Sequence, residues 1–226
     1  MEHLAAPDLA VADGFLAAAP VALMTVAAEV PGSLALVRHL VARGVAVADR
    51  DHDAGARAVT HLWNAQRPPT AREPGVVGVA LSRADVTVCV IADLVHVAPA
   101  NLLLTLAAAR GRVVVVTDAQ APAGDGGNRR VHRFDGRVVT AMGGAVRLAD
   151  GTLAGAACPM DGALRNLVGL GVPLVEAVTA MTRSPARLLG RPDIGRLAPG
   201  LPADLVVLGD DLTVAQVLVG GAPIGA

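Results

Sequence analysis

The sequence predicts an α/β fold built on a parallel sheet, and three observations predict it. Val113-Val114-Val115-Val116 is an unbroken β-branched run, the pattern of a strand buried on both faces, and it stops on Thr117-Asp118. Apolar runs of strand length alternate with segments whose apolar residues recur at helical spacing. Three successive runs end on polar residues: His61, then Asp93 with His96 just beyond, then Asp118. A parallel sheet curled into a (β/α) barrel puts such strand ends on one face, where catalytic groups sit.

The 226 residues suffice for one domain, or one domain with a small appendage. Hydrophobic residues make up 53% and charged residues 17%, which supplies a core and excludes a disordered chain. The net charge is −1, and all 19 basic residues are arginines scattered along the chain. With no basic face, no tyrosine and only Phe15, Phe134 and Trp63 as aromatics, no nucleic-acid partner is expected. Cys89 and Cys158 stand outside any CxxC pair, which fits a reducing cytoplasm better than a disulfide framework. The N-terminus lacks the basic and long apolar regions of a signal peptide. No apolar run is long enough for a bilayer. A cytoplasmic protein without a membrane partner is the expectation.

Taken in order, Leu9, Val11, Phe15 and Leu16 predict an amphipathic helix over 7–19, and 21–27 reads as a strand. Glu29-Val30-Pro31-Gly32 is a turn. Ser33 stands where it would cap a helix to about residue 42, with Leu34, Leu36, Val37, Leu40 and Val41 on its apolar side. Arg43-Gly44 ends it. Residues 45–48 are the next strand. A charged knot follows, Asp49-Arg50-Asp51-His52-Asp53, and 58–62 already reads as strand. About nine residues separate these two strands, fewer than the dozen or more that a right-handed parallel crossover needs. Either they are not neighbours in a βαβ unit, or a helix is missing between them.

After the strand ending on His61, a Pro-rich loop carries Arg72. Residues 76–81 are apolar, 86–93 is a buried strand ending on Asp93, and 99–109 is helical. Beyond the Val113 strand, 121–124 is turn and 125–128 is loop, and 131–146 carries short strands with polar turns. The small residues of 153–157 suit close backbone approach. Asp161 is positioned to cap a helix through Leu167, 174–181 is a second helix, and Ser184-Pro185 opens a third through Leu189. Residues 195–221 are β-rich, with 203–208 the clearest strand. There is no repeat of fixed period, no P-loop and no dinucleotide-binding glycine motif.

Two imidazoles and a carboxylate at one mouth suit a metal-activated water with a general acid/base beside it. Each also has an ordinary structural role open to it: His61 as a core histidine, His96 at a helix cap, Asp93 or Asp118 in a turn. Their common position at successive strand ends argues for chemistry.

Several segments then carry a resemblance. They are Thr60-His61-Leu62-Trp63-Asn64-Ala65, Arg72-Glu73-Pro74-Gly75, Ala92-Asp93-Leu94-Val95-His96-Val97 and Val116-Thr117-Asp118-Ala119-Gln120-Ala121-Pro122-Ala123-Gly124. Met160-Asp161-Gly162-Ala163-Leu164-Arg165-Asn166-Leu167 and the ending from Gly195-Arg196-Leu197 to Val206-Val207-Leu208 follow in the same order. The chain resembles the N-acetylglucosamine-6-phosphate deacetylases of the amidohydrolase superfamily, from about residue 20 to its end. The ending is shared widely in the superfamily; the first, second and fourth segments are the specific ones.

The resemblance implies hydrolysis of the N-acetyl group of N-acetylglucosamine-6-phosphate to glucosamine-6-phosphate and acetate. It implies that His61 ligates a divalent metal, zinc by expectation. Asp118 would be the general base that takes a proton from water and returns it to the amine. His96 would polarise the acetamide carbonyl. Asn64, Ala65, Leu153, Ala154 and Gly155 would line the sugar site, and Arg72 would hold the phosphate across a homodimer interface. An arginine suits that task, because its planar fork binds phosphate bidentately.

The departures are as specific. A glutamate ligand in a Gly-Pro-Phe context has no counterpart before Pro20. The family's Gly-His-Ser ligand falls where this chain reads Ala48-Asp49-Arg50-Asp51-His52-Asp53, at the short crossover. Relative to the family the chain is expected to be truncated at its N-terminus and internally deleted, with residues 1–190 an incomplete (β/α) barrel and 191–226 a β segment of a small sandwich domain. One rival reading is a catalytically impaired remnant that binds sugar phosphate or a partner protein. Another is a cyclic-amide hydrolase, which would have no use for Arg72.

Overall fold

The computed structural model describes residues 6–27, 30–121, 123, 130–132 and 136–225. The loop expected over 125–128, Pro122 and Gly124 of the Asp118 motif, and Glu29 of the first turn lie outside the described residues.

Five short strands form one sheet in chain order: β1 (Leu23–Thr25), β2 (Ala46–Ala48), β3 (Ala58–Val59), β4 (Thr87–Ile91) and β5 (Val113–Val116). Every neighbouring pair is parallel. Helix α1 (Leu9–Ala18) precedes β1, α2 (Ser33–Ala42) joins β1 to β2, α3 (Gly75–Ser82) precedes β4, and α4 (Pro99–Ala108) joins β4 to β5. An antiparallel sheet follows, β6 (Arg130–His132), β7 (Val138–Met142), β8 (Ala145–Leu148) and β9 (Leu153–Ala156). Then come α5 (Met160–Gly169), α6 (Leu174–Met181) and α7 (Arg183–Leu188). The three antiparallel strands β10 (Leu205–Leu208), β11 (Val214–Val219) and β12 (Ala222–Ile224) end the chain. The expected α/β class and its parallel sheet are thus observed, as is the antiparallel C-terminal sheet.

The sheet explains the valine run. Val113 and Val115 face α4, α5 and α6, where they meet Leu102, Leu106, Leu164, Leu167 and Ala177. Val114 points to the opposite face in register with Cys89, and it too is buried. Val59, Val88 and Val90 continue the helix-facing set, and Val77 and Ala80 of α3 close it. Each large side chain buried this way contributes about 1.5–3 kcal/mol. A second, separate cluster joins Ala12 of α1, Val37 and Leu40 of α2, Val47 of β2, and Val26 and Val45. The division between the two clusters falls between β2 and β3.

That division has a cause in the sequence. β2 and β3 are neighbours, paired in parallel at Ala48 and Ala58, yet no helix connects them. A single 3₁₀ turn, His52–Ala54, replaces it. Of the two alternatives left open by the nine-residue spacing, the missing helix is the one found.

Several local expectations need correction. Ser33 does not cap α2; Gly32 in a left-handed conformation does, and Ser33 is the first helical residue, 4% exposed. Pro159 rather than Asp161 precedes α5, and Asp161 instead pairs with Arg165 one turn on at 2.8 Å. Residues 76–81, read only as an apolar run, lie inside helix α3. In α1, Leu9, Val11 and Phe15 are exposed, whereas Ala12 is buried and Leu16 packs beside it, so only part of the face that looked apolar packs. The cap of α1 is Asp8, whose Oδ1 accepts from the Ala10 amide at 2.8 Å. Among the described residues, no helix is long and apolar enough to cross a membrane.

Candidate active site

The strand ends carry the strain of the molecule. Six described residues other than glycine have positive φ: His61, Trp63, Ala65, Leu94, Asp118 and Leu212. Five of the six follow β3, β4 or β5 directly. Backbone outliers of this kind cost of order 1–3 kcal/mol each and persist only where the surroundings over-determine them.

After β3 the surroundings do so. β3 ends at Val59, so His61 sits in a turn rather than in the strand. The Leu62 side chain is fully buried and its amide donates to the Cys89 carbonyl at 2.7 Å. The Trp63 amide donates to Gln66 Oε1, and Gln66 Nε2 donates back to the Thr60 carbonyl. Trp63 Nε1 donates to Thr105 Oγ1 of α4 at 2.9 Å. Asn64 Nδ2 turns inward to the His61 and Leu62 carbonyls, so its amide group braces the turn. Ala65 is exposed beside it. The Thr25 and Thr60 hydroxyls, at the end of β1 and just after β3, meet at 3.1 Å.

After β4, Asp93 forms a tight turn around its own carboxylate. Oδ1 accepts from the Val95 and His96 amides, and Oδ2 accepts from His96 Nδ1 at 2.6 Å. Both side chains are almost fully buried. The aspartate is thus both a turn former and the group that fixes the His96 ring. Asn166 of α5 donates to the Ala92 carbonyl just before it.

After β5, Asp118 is exposed at φ 51. Its carbonyl accepts from the Ala156 amide, and the Gln120 amide donates to the Ala156 carbonyl, so β9 is stitched to the Asp118 loop. Gly155 (φ 123) makes the approach possible, since a Cβ there would stand 2.4 Å from Gln120 Cγ. Gly155 and Ala156 are therefore brought to Asp118, with Ala154 and Leu153 preceding them along β9. On the same side, a Cβ on Gly144 of the β7–β8 turn would lie 3.8 Å from Val95 of the Asp93 turn.

Arg72 is not held by any of these contacts. It lies exposed in the loop before α3 with no hydrogen bond or ion pair to a described residue. Gln66, Thr105, Gln120 and Asn166 are the positioning residues that sequence reasoning missed. Gln120 and Asn166 lie inside the quoted motifs, which was the available signal; Thr105 gave none.

The cysteines are not nucleophile candidates. Burial pushes the Cys89 thiol up to about 11. Burial, then the nearby Asp93 and Asp161, raise that of Cys158. Neither is in a disulfide.

The fit to a metal ion is poor. His61 Nδ1 is buried without a partner, as is fitting for a waiting ligand. Yet among the described residues no group of three His, Cys, Asp or Glu side chains is gathered closely enough to hold a metal, and catalytic sites of this kind need about three protein ligands. Asp49 Oδ2 and His52 Nε2 are also buried without partners, in the loop that replaces the missing helix.

The amidohydrolase family model matches residues 42–224. The chain belongs to the amidohydrolase family. It is 36% identical over 212 residues to an N-acetylgalactosamine-6-phosphate deacetylase of Escherichia coli O157:H7, covering 88% of this chain and 56% of that one. To a putative N-acetylgalactosamine-6-phosphate deacetylase of Escherichia coli K12 it is 39% identical over 163 residues, 71% of this chain and 96% of that one. A mutant N-acetyl-D-glucosamine-6-phosphate deacetylase from Mycobacterium smegmatis, solved with N-acetyl-D-glucosamine-6-phosphate, matches with a TM-score of 0.88 at 35% identity. That match covers 96% of this chain and 61% of that one. The chain thus spans little more than half the length of the first and third of these proteins. The resemblance read from the motifs is the right one, and the five-stranded sheet is part of an amidohydrolase barrel. Amidohydrolases are metal-dependent; this chain's described residues do not by themselves make a metal site, and no step below passes through one.

Proposed function

We propose that this chain binds a phosphorylated 2-acetamido sugar and hydrolyses its N-acetyl group to acetate and the free amine. The observation that carries the reading is the run of strained residues at the ends of β3, β4 and β5, with Asp118 exposed among them. Strain concentrated at three adjacent strand ends is a mark of a pre-organised site.

In this reading Asp118 takes a proton from the attacking water as its oxygen bonds to the acetyl carbon. When the C–N bond breaks, the same carboxyl returns the proton to the departing amine. The His96 ring is pinned through Nδ1 to Asp93; as an imidazolium paired with that carboxylate it keeps a second N–H, on Nε2, that can donate to the carbonyl oxygen as negative charge develops. Asn64, Ala65, Leu153, Ala154 and Gly155 line the sugar. Arg72 holds the phosphate, across a homodimer interface as the family resemblance implies. His61 is the family's metal-ligand position. The relatives support either sugar epimer; N-acetylglucosamine-6-phosphate is our first choice, in a cytoplasmic enzyme that uses zinc.

A second reading has one observation in its favour, the absence of a three-ligand group among the described residues. It is a remnant that binds sugar phosphate without turning it over. The deciding experiment is acetate release from N-acetylglucosamine-6-phosphate and its galactosamine epimer, with and without added zinc, by wild type and Asp118→Asn. Release that disappears in the variant supports the hydrolase. Folded protein that is stabilised by the phosphosugar but releases no acetate supports the remnant.

A further inference from the structure

At the opposite end of β5 from Asp118 lies a cavity of about 410 Å³ lined by Arg183, Arg187, Arg191, Pro192, Ile194 and Arg196. We propose that these four arginines form a second anion site that receives a phosphate group, independent of the strand-end site.

The site is built by the turn after α7. Arg183 and Arg187 are one helical turn apart and share a face. At the helix end, Gly190 adopts φ 66, its amide donates to the Arg187 carbonyl, and the Arg191 amide donates to the Ala186 carbonyl at 2.8 Å. These are the paired bonds of a glycine-terminated helix, and they fold Arg191 back over α7. The chain then returns to the start of the helix at Gly195 (φ 78). A Cβ there would lie 2.7 Å from the Thr182 carbonyl oxygen and 2.8 Å from Ala186 Cβ. Only glycine allows that seat, and it delivers Arg196 next to Arg183.

The charges are lopsided. Arg191 is held fork to fork by Asp193, Nε to Oδ1 at 2.7 Å and Nη2 to Oδ2 at 2.6 Å. That bond holds the Asp193 carboxyl down at about 2. Arg187 donates to the Gly111 carbonyl. Arg183 and Arg196 make no hydrogen bond or ion pair with a described residue, and both are exposed. Four arginines therefore line one cavity: Arg191 is held by Asp193 with Asp204 also nearby, Arg187 is held by the Gly111 carbonyl, and Arg183 and Arg196 are the two without a partner among the described residues. The planar guanidinium fork matches phosphate oxygens two at a time. The volume is in the range of small-ligand sites. Pro192 and Ile194 give an apolar wall that suits the carbon skeleton of a phosphate ester.

The bond from Arg187 to Gly111 fixes the distance from the other site. Gly111 precedes β5 and Asp118 follows it, so the two ends stand roughly 20 Å apart at ~3.3 Å per residue. Arg72 does not line this cavity.

The test is calorimetric titration of the full chain at fixed chloride with inorganic phosphate and, separately, glucose 6-phosphate. Wild type, Arg72→Gln and the double variant Arg183→Gln/Arg196→Gln are compared. Binding that survives in Arg72→Gln and weakens roughly tenfold or more in the double variant supports the site. Equal affinity for the two probes then names free phosphate as the ligand source; tighter binding of the sugar phosphate names an ester. No phosphate binding, or binding lost in Arg72→Gln and unchanged in the double variant, overturns it. Melting curves without phosphate check the fold. If the double variant does not fold, Arg196→Gln alone, in an exposed loop outside the helix, gives the same comparison.

Discussion

The Cα of Gly155 rests against the carbonyl of Asp118: a Cβ on Gly155 would stand 3.0 Å from that oxygen and 2.4 Å from Gln120 Cγ. With φ 123, the position also excludes L side chains on conformational grounds. Gly155→Ala is expected to destabilise the protein by about 1–3 kcal/mol and to move the Asp118 loop. Denaturant titration measures the first effect, and acetate release per folded molecule the second. A variant with wild-type stability would mean that the contact between β9 and the Asp118 loop is loose.

Asp93 answers three N–H groups with one carboxylate. Asp93→Ala leaves all three without that acceptor in a buried turn, and a loss of about 2–4 kcal/mol is expected. Asp93→Asn keeps the Oδ1 acceptor but sets an amide NH₂ against His96 Nδ1, so Nδ1 must become an acceptor and the ring is left with its proton on Nε2 alone. Nitrogen NMR of His96 reads the tautomer. The same tautomer in both proteins would show that Asp93 does not govern the ring.

Asp49 predicts a pH dependence. Burial raises its carboxyl above the ordinary 3.8, against lowering by the Asp51 amide. An acid whose folded value is raised is destabilising once ionised. Its favourable contribution is complete below 3.8 and is lost as pH rises through the elevated folded value. Asp49→Asn removes that loss. It is expected to raise stability at neutral pH by about 1 kcal/mol, near 2–4 °C in Tm for a chain of this size, with no gain at pH 3. Melting curves at the two pH values check it; a gain at both would assign the effect to something other than ionisation.

Arg112 binds four carbonyls, those of Ala80, Leu81 and Val86 around the end of α3 and of Ala108 at the end of α4. Arg112→Met keeps the aliphatic stem and leaves those carbonyls to weaker partners. A loss of about 2 kcal/mol in denaturant titration is expected, with little change at the strand ends that carry Asp93 and Asp118.

Much of this was legible in the chain. The valine run gave β5 because four β-branched residues admit little else. The short spacing between Ala48 and Ala58 gave the missing crossover helix, since chain length is a hard limit. The places of His61, Asp93 and Asp118 just beyond β3, β4 and β5 followed from where apolar runs stop, although His61 falls in a turn rather than in the strand. The rest depended on contacts distant in sequence. Nothing near Thr105 announces that it holds Trp63, 42 residues earlier. The packed face of α1 was partly misread because Ala12, rather than Phe15, is the residue the fold covers. Ser33 lost its cap role to Gly32, whose left-handed backbone no composition rule separates from an ordinary turn.

The break between the two hydrophobic clusters has a consequence for how the molecule comes apart. One register pair, Ala48 with Ala58, and the backbone bonds flanking it are the sheet's seam across that break. Cooperativity is carried by shared buried surface, and here little is shared. The unit holding α1, α2, β1 and β2 is therefore expected to open as a foldon of its own, below the global unfolding free energy. Amides of Val37 and Leu40 would then exchange hydrogen faster than those of Val90 and Val115, although all four side chains are buried alike.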